Sequence, residues 1–143
     1  MHDSEVHLGE ATAAPRGAAV RMIAKDLVAL VALLHLYFLV LEMFLWTKPA
    51  GRRAFGTTQE MAEQSKVLAM NQGLYNGFLA AGLLWGLYLG DAGRSVVVFF
   101  LLCVIAAGLF GAATASRKIL WAQGVPGMIA LAAWLVSGNV GMR

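Results

Sequence analysis

Charge is what this chain has least of. Asp, Glu, Lys and Arg make up 13% of its residues, against roughly 25% in an ordinary soluble domain. The few charges are concentrated in the N-terminal segment and in short connectors, with long, nearly uncharged runs between them. That distribution indicates an integral membrane protein. The net charge of +3 is small, and no basic stripe interleaves with aromatics. Nucleic acid is therefore excluded as a partner. Cysteine is nearly absent too: Cys103 is the only one, so no intrachain disulfide forms.

Chemical signatures are equally sparse. There is no phosphate loop, no G-x-S-x-G and no H-E-x-x-H. One His and one Cys on different apolar runs do not make a four-ligand metal site. No attachment motif accompanies His35 for haem, and no cofactor is identified. No internal repeat occurs.

What the chain does have is apolar length. Its 143 residues suit one domain, and 59% of them are hydrophobic. Four runs approach or exceed the roughly 20 residues that cross a bilayer, at about 23–46, 67–89, 96–114 and 119–136. Only Ala115 to Lys118 separate the last two, so those helices are expected to be antiparallel neighbours. Thr57-Thr58-Gln59-Glu60 reads as a capping box, with Thr57 as N-cap, starting the second helix before its span. Gly82 and Gly86, and Gly108 with Gly111, are small residues that let helices approach closely.

The expected fold is all-α: an integral membrane four-helix antiparallel bundle over residues 22–143, after a short flexible N-terminal tail over 1–21. Met22, directly before the first run, is a second candidate start of translation. An even number of spans places both termini on one side. The opposite side carries Lys48, Arg52, Arg53, Lys66, Arg117 and Lys118, more tightly packed against the spans than the cations of the terminus side. Six cations there against five on the terminus side do not settle the orientation, and the tighter packing favours the connector side as the cytoplasmic face of a bacterial cytoplasmic membrane.

Polar residues inside the runs are the functional signal, because burying them in lipid is expensive. In the first run, His35, Glu42 and Trp46 fall within about 40° of one another on one helix face. The second run carries Asn71, Gln72, Tyr75 and Asn76 within six residues. At 1.5 Å per residue, Asn71 lies level with Glu42, about 10 Å from the span's midpoint, and Tyr75 one turn deeper. Gln72 and Asn76 form a second pair, turned about 100° round the helix. Gln123 of the fourth run sits about 7 Å from its midpoint, in the same half of the bilayer. Arg117 and Lys118 lie above the mouth with Lys48, Arg52 and Arg53. Pro126 is expected to free a carbonyl and kink the fourth helix.

Three helices thus point to a shared polar pocket with His35 at its deep end. His35, Glu42 and Tyr75 are the candidate catalytic residues. Trp46, Asn71, Gln72, Asn76, Arg117, Lys118 and Gln123 are the candidate ligand-binding residues. The plainer reading is that Asn, Gln and Tyr hold helices together at about 0.6 kcal/mol each, with Trp46 and Trp121 as interfacial anchors. Two titratable groups on one face exceed what adhesion between helices requires.

The motifs H-x6-E-M-F-x-W-x-x-P (His35, Glu42, Met43, Phe44, Trp46, Pro49), N-Q-G-x-Y-N (Asn71 to Asn76) and S-R-K-x-x-x-x-Q-G-x-P (Ser116, Arg117, Lys118, Gln123, Pro126) span about Met22 to Leu135. They resemble the small bacterial membrane proteins grouped as domain-of-unknown-function family thirteen-oh-four. The resemblance implies a multi-pass membrane topology and no particular activity. Three functions stay open. The first is acid/base chemistry on a lipophilic small molecule, as in an isomerase. The second is a small proton-coupled transporter or channel subunit. The third is a structural or accessory membrane subunit. The expected partners are the lipid bilayer, a lipophilic small-molecule ligand and further copies of the chain.

Overall fold

The computed structural model describes residues 3–139, with side chains from Arg16 onward. Among these residues there are five α-helices and no strand. They are α1 (Asp3–Met43), α2 (Pro49–Phe55), α3 (Gln59–Tyr88), α4 (Arg94–Thr114) and α5 (Val125–Asn139). A 3-10 turn, Gly90–Gly93, precedes α4, and a π-helical turn, Leu120–Gly124, precedes α5.

Three stretches are long and apolar enough to cross a membrane: Arg16–Met43, Gly90–Thr114 and Leu120–Asn139. Helix α3, expected as the second of four spans, has the length, at about 45 Å, but not the apolarity. Its Asn71, Gln72, Tyr75 and Asn76 lower the hydropathy of the very stretch that would lie in the bilayer. Helix α1 begins at Asp3, within the segment expected as the N-terminal tail. Ala11, Ala13, Ala14, Ala18 and Ala19 supply the highest intrinsic helix propensity there.

The connector between α1 and α3 is more ordered than a loop reading suggests. Pro49 occupies the first turn of α2, where its missing N–H costs nothing. A Cβ on Gly51 would collide with the Leu45 carbonyl oxygen, so glycine is what allows α2 to fold back on the end of α1. Gly56 closes α2 in the left-handed region (φ 66°), its N–H bonded to the Arg52 carbonyl. The Thr57 N–H bonds the same carbonyl at 3.1 Å. Thr57 therefore belongs to the end of α2, and the N-cap of α3 is Thr58, one residue later than the capping-box reading. Its hydroxyl accepts from the Met61 N–H at 3.2 Å. Glu60 does not reach back to the cap; its carboxylate accepts from Gln64.

Contacts between successive long helices run in opposite chain directions. Gly73 meets Met43 and Glu42, and Gly77 meets Leu39, along α1 and α3. Gly82 lies against the Phe100 ring and Gly86 against Val97, along α3 and α4. Gly108 lies against Gly124, and Gly127 against Val104, along α4 and the π turn with α5. Helix α5 returns to pack on α1. The Arg94 guanidinium donates to the Trp134 carbonyl at 2.9 Å and sits 5.2 Å from the Trp134 ring, joining the start of α4 to α5.

The core is asymmetric along the helices. Ala24, Val28, Val31 and Ala32 of α1 meet Leu83 of α3, Val97, Leu101 and Val104 of α4, and Ala130 and Trp134 of α5. These residues fill the half nearer the α3–α4 connection. Toward α2 the facing positions include Ala107 and Gly111, and that half is not filled. Many large apolar side chains face outward, among them Leu33, Phe78, Phe99, Phe110 and Ile129, all more than half exposed.

Candidate functional site

The unfilled half holds a cavity of about 530 Å³. Its existence follows from residue size. Helix α4 offers only Ala107 and Gly111 to it, and the turn before α5 offers Ala122. Phe38 and Leu41 of α1 and Leu79 of α3 form its apolar wall, and Phe55 of α2 lies at the end where α2 folds back.

Polar groups enter from three directions. Glu42 comes from the last turn of α1, where Gly73 lets α3 approach the Glu42 Cβ to 3.2 Å of where a side chain on Gly73 would begin. Gln72, Tyr75 and Asn76 come from α3. Lys118 and Gln123 come from the segment between α4 and α5. The Asn76 amide donates to Glu42 Oε2 at 2.7 Å, a short hydrogen bond between two helices. Gln123 is placed by the π-helical turn, in which the Val125 N–H bonds back to the Leu120 carbonyl. One residue on, Pro126 has no N–H to donate, so the widened turn falls where the ordinary ladder is interrupted. Gln123 also donates to the Val104 carbonyl at 3.4 Å, at the upper edge of the core.

The remaining sequence candidates lie elsewhere. His35 is 1% exposed and outside the cavity lining. Its Nδ1 lies 2.8 Å from the Val31 carbonyl oxygen, which only accepts, so Nδ1 carries a proton. Nε2 is buried without a partner. The ring meets Phe38 edge-on at 5.9 Å, and Phe38 in turn lines the cavity. Trp46 does not continue the face of Glu42, because α1 ends at Met43. Its indole donates to Ser65 Oγ at 3.1 Å and packs against the Phe55 ring at 4.8 Å with a 52° tilt, tying the end of α1 to α2 and α3. Asn71 and Arg117 are exposed and outside the lining.

Sequence reasoning passed over Phe38 and Phe55. Phe38 precedes Glu42 by four residues, so helical spacing alone marks it as a neighbour. Phe55 carried no signal while α2 was read as a loop. Among the described residues, no three His, Cys, Asp or Glu side chains gather into a metal-sized cluster. Chemically, the cavity offers one carboxyl held by an amide, the phenols of Tyr37 and Tyr75, two further amides and an ammonium at its edge, against an apolar wall.

No solved structure matches the chain. A Lactococcus lactis subsp. lactis (strain IL1403) protein described as "Uncharacterized protein YpaA" is 35% identical over 104 residues, covering 71% of this chain and 87% of that protein. The family described as "Protein of unknown function (DUF1304)" matches residues 29–135, a stretch that takes in every residue lining the cavity. The chain belongs to the DUF1304 family.

Proposed function

We propose that the protein is a multi-pass integral membrane protein of the bacterial cytoplasmic membrane whose cavity binds a lipophilic small molecule, with Glu42 exchanging a proton with it. In this reading α1, α3, α4 and α5 form an antiparallel four-helix bundle. The outward Leu, Phe and Ile side chains support a lipid surround, since in water they would form an aggregating patch. Helix α3 crosses with its partners because its glycines pack it to α1 and α4 along its length. Part of its polar cluster is turned to the cavity rather than to lipid.

One observation carries the functional part: Glu42, bonded to Asn76, lines a cavity whose volume falls within the roughly 300–1,000 Å³ typical of small-molecule sites. The filled core beneath the cavity supports a pocket over a path, since Leu83, Leu101 and Val104 have no exposed surface. Asn76 fixes the orientation of the carboxyl. A carboxyl so held takes a proton from one atom of a bound molecule and returns it to another, the work of an isomerase. Such positioned acid/base groups contribute about 10²–10⁴-fold to rate. Tyr75 and Gln123 are placed to hydrogen-bond the ligand's polar end, and Lys118 to attract an anionic one.

The test is extraction of purified protein with organic solvent, followed by mass spectrometry. The wild type is expected to release a lipophilic compound that Ala107→Phe, which fills the cavity, does not carry. The Glu42→Gln variant should retain the compound, because Gln keeps the size and the bond to Asn76. An identical set of compounds from the wild type and Ala107→Phe would refute a ligand in this cavity.

A further inference from the structure

A second, smaller cup of about 200 Å³ lies on α2, lined by Pro49, Arg52, Arg53, Gly56 and Thr57. It is separate from the cavity around Glu42, sharing no lining residue with it. Two arginines and a hydroxyl line it, with no carboxylate. Arg52 Nε is buried and has no hydrogen-bond partner. A guanidinium N–H withdrawn from water without an acceptor is costly, so this geometry calls for one.

The surroundings suit an anion. The Arg52 carbonyl, which would repel one, is already engaged by the Gly56 and Thr57 N–H groups. Two nearby acids in the first turns of α3 are held by their own helix: Gln59 donates to Glu63 and Gln64 to Glu60. Thr57 adds a hydroxyl donor at the rim. The arginine fork matches tetrahedral oxyanions and binds them through paired N–H donors.

Position identifies what presents the anion. Helix α2 lies where α1 ends and α3 begins. Beside it Trp46 packs against Phe55 with the rings tilted by 52°, and Trp is an amphipathic side chain enriched at the boundary between lipid and water. Lys48, Arg117 and Lys118 are exposed at the same end of the helices. A phosphate at that level belongs to a lipid head, and anionic lipids are drawn to such basic segments.

We infer that the Arg52–Arg53–Thr57 cup on α2 binds the phosphate of an anionic phospholipid headgroup. The inference needs the membrane placement proposed above but not the Glu42 ligand. An empty cavity would leave it standing, and a silent cup would leave Glu42 untouched.

The experiment is thermal unfolding of the full chain in detergent, titrated with short-chain phosphatidylglycerol, short-chain phosphatidylcholine or inorganic phosphate. Phosphatidylglycerol is expected to raise the melting temperature of the wild type, and phosphatidylcholine much less. Arg52→Gln and Arg53→Gln should each weaken that effect by about tenfold. Arg117→Gln should leave it within twofold. Arg52→Lys keeps the charge but not the fork, and serves if Arg52→Gln does not fold; it too should weaken binding. Undiminished stabilisation in the Arg52 variants overturns the cup. So does an equal loss in Arg117→Gln, which would mean a diffuse field rather than a site. Inorganic phosphate acting as strongly as the lipid overturns the headgroup as its source.

Discussion

Replacing Asn76 by Ala removes the amide that holds Glu42 across the α1–α3 contact. The magnitude follows from the geometry. At 2.7 Å, from an amide donor to a carboxyl oxygen, the bond is short, and bonds to charged groups are worth about 1.5–3 kcal/mol net in soluble proteins. Between helices in a membrane the average is lower, about 0.6 kcal/mol with a maximum near 1.7, because the separated helices find other partners. Glu42 and Asn76 are only partly buried, which weakens the bond further. These effects set an expected coupling of about 1 kcal/mol between positions 42 and 76.

A double-mutant cycle measures it. Wild type, Glu42→Ala, Asn76→Ala and the double variant are unfolded by denaturing detergent, followed by circular dichroism. A fifth protein, Glu42→Gln, separates charge from hydrogen bonding, since its amide oxygen still accepts from Asn76. Glu42→Gln is expected to lie closer to wild type than Glu42→Ala does, and to show no transfer chemistry. Additive single effects, with coupling within experimental error of zero, would mean that the two side chains do not hold each other. The orientation argument for Glu42 would then fail.

Gly108→Val tests the fit of α4 to the turn before α5. A Cβ there would sit 2.7 Å from the Gly124 nitrogen and 2.8 Å from its Cα, so backbone must move; overpacking of this kind costs about 1–3 kcal/mol, read as a lower melting temperature in detergent. Thr58→Ala removes the hydroxyl that caps α3 and should cost about 1 kcal/mol, whereas Thr57→Ala should be nearly neutral in the same assay.

Much of the fold was legible because apolar runs and connectors alternate so sharply. The helices at 96–114 and 119–136 were placed within a few residues of α4 and of the π turn with α5. What was not legible came from local competition between neighbours. Thr57 and Thr58 are equally good caps in composition, and the choice was made by α2, whose closing turn consumes the Thr57 N–H. Helix α2 itself was hidden because seven residues containing Gly51 and two arginines have little helical pattern. Its fold-back depends on a glycine–carbonyl contact that exists only in three dimensions.

The site was legible in depth but not in rotation. Counting along straight helices set Glu42 level with Asn71, and Glu42 does lie beside Gly73, about 3 Å further along α3. The partner is nevertheless Asn76. Gly73 and Gly77 are four apart, and they mark the side of α3 that α1 approaches most closely. Measured from Gly73 at 100° per residue, Asn76 lies about 60° away and Asn71 about 160° away, on the far side. The sequence carried this signal: Gly73-xxx-Gly77 is the same close-approach spacing as Gly82-xxx-Gly86, one stretch earlier. Read together, the two glycine pairs orient α3 twice, first toward α1 beside the cavity and then toward α4 beside the core. That double contact turns Asn76 toward α1; Gln72 and Tyr75 also line the cavity and Asn71 does not. It also gives a physical reason for the cluster that makes α3 the least apolar of the long helices: three of its four polar residues face a cavity kept open by Ala107 and Gly111 on α4.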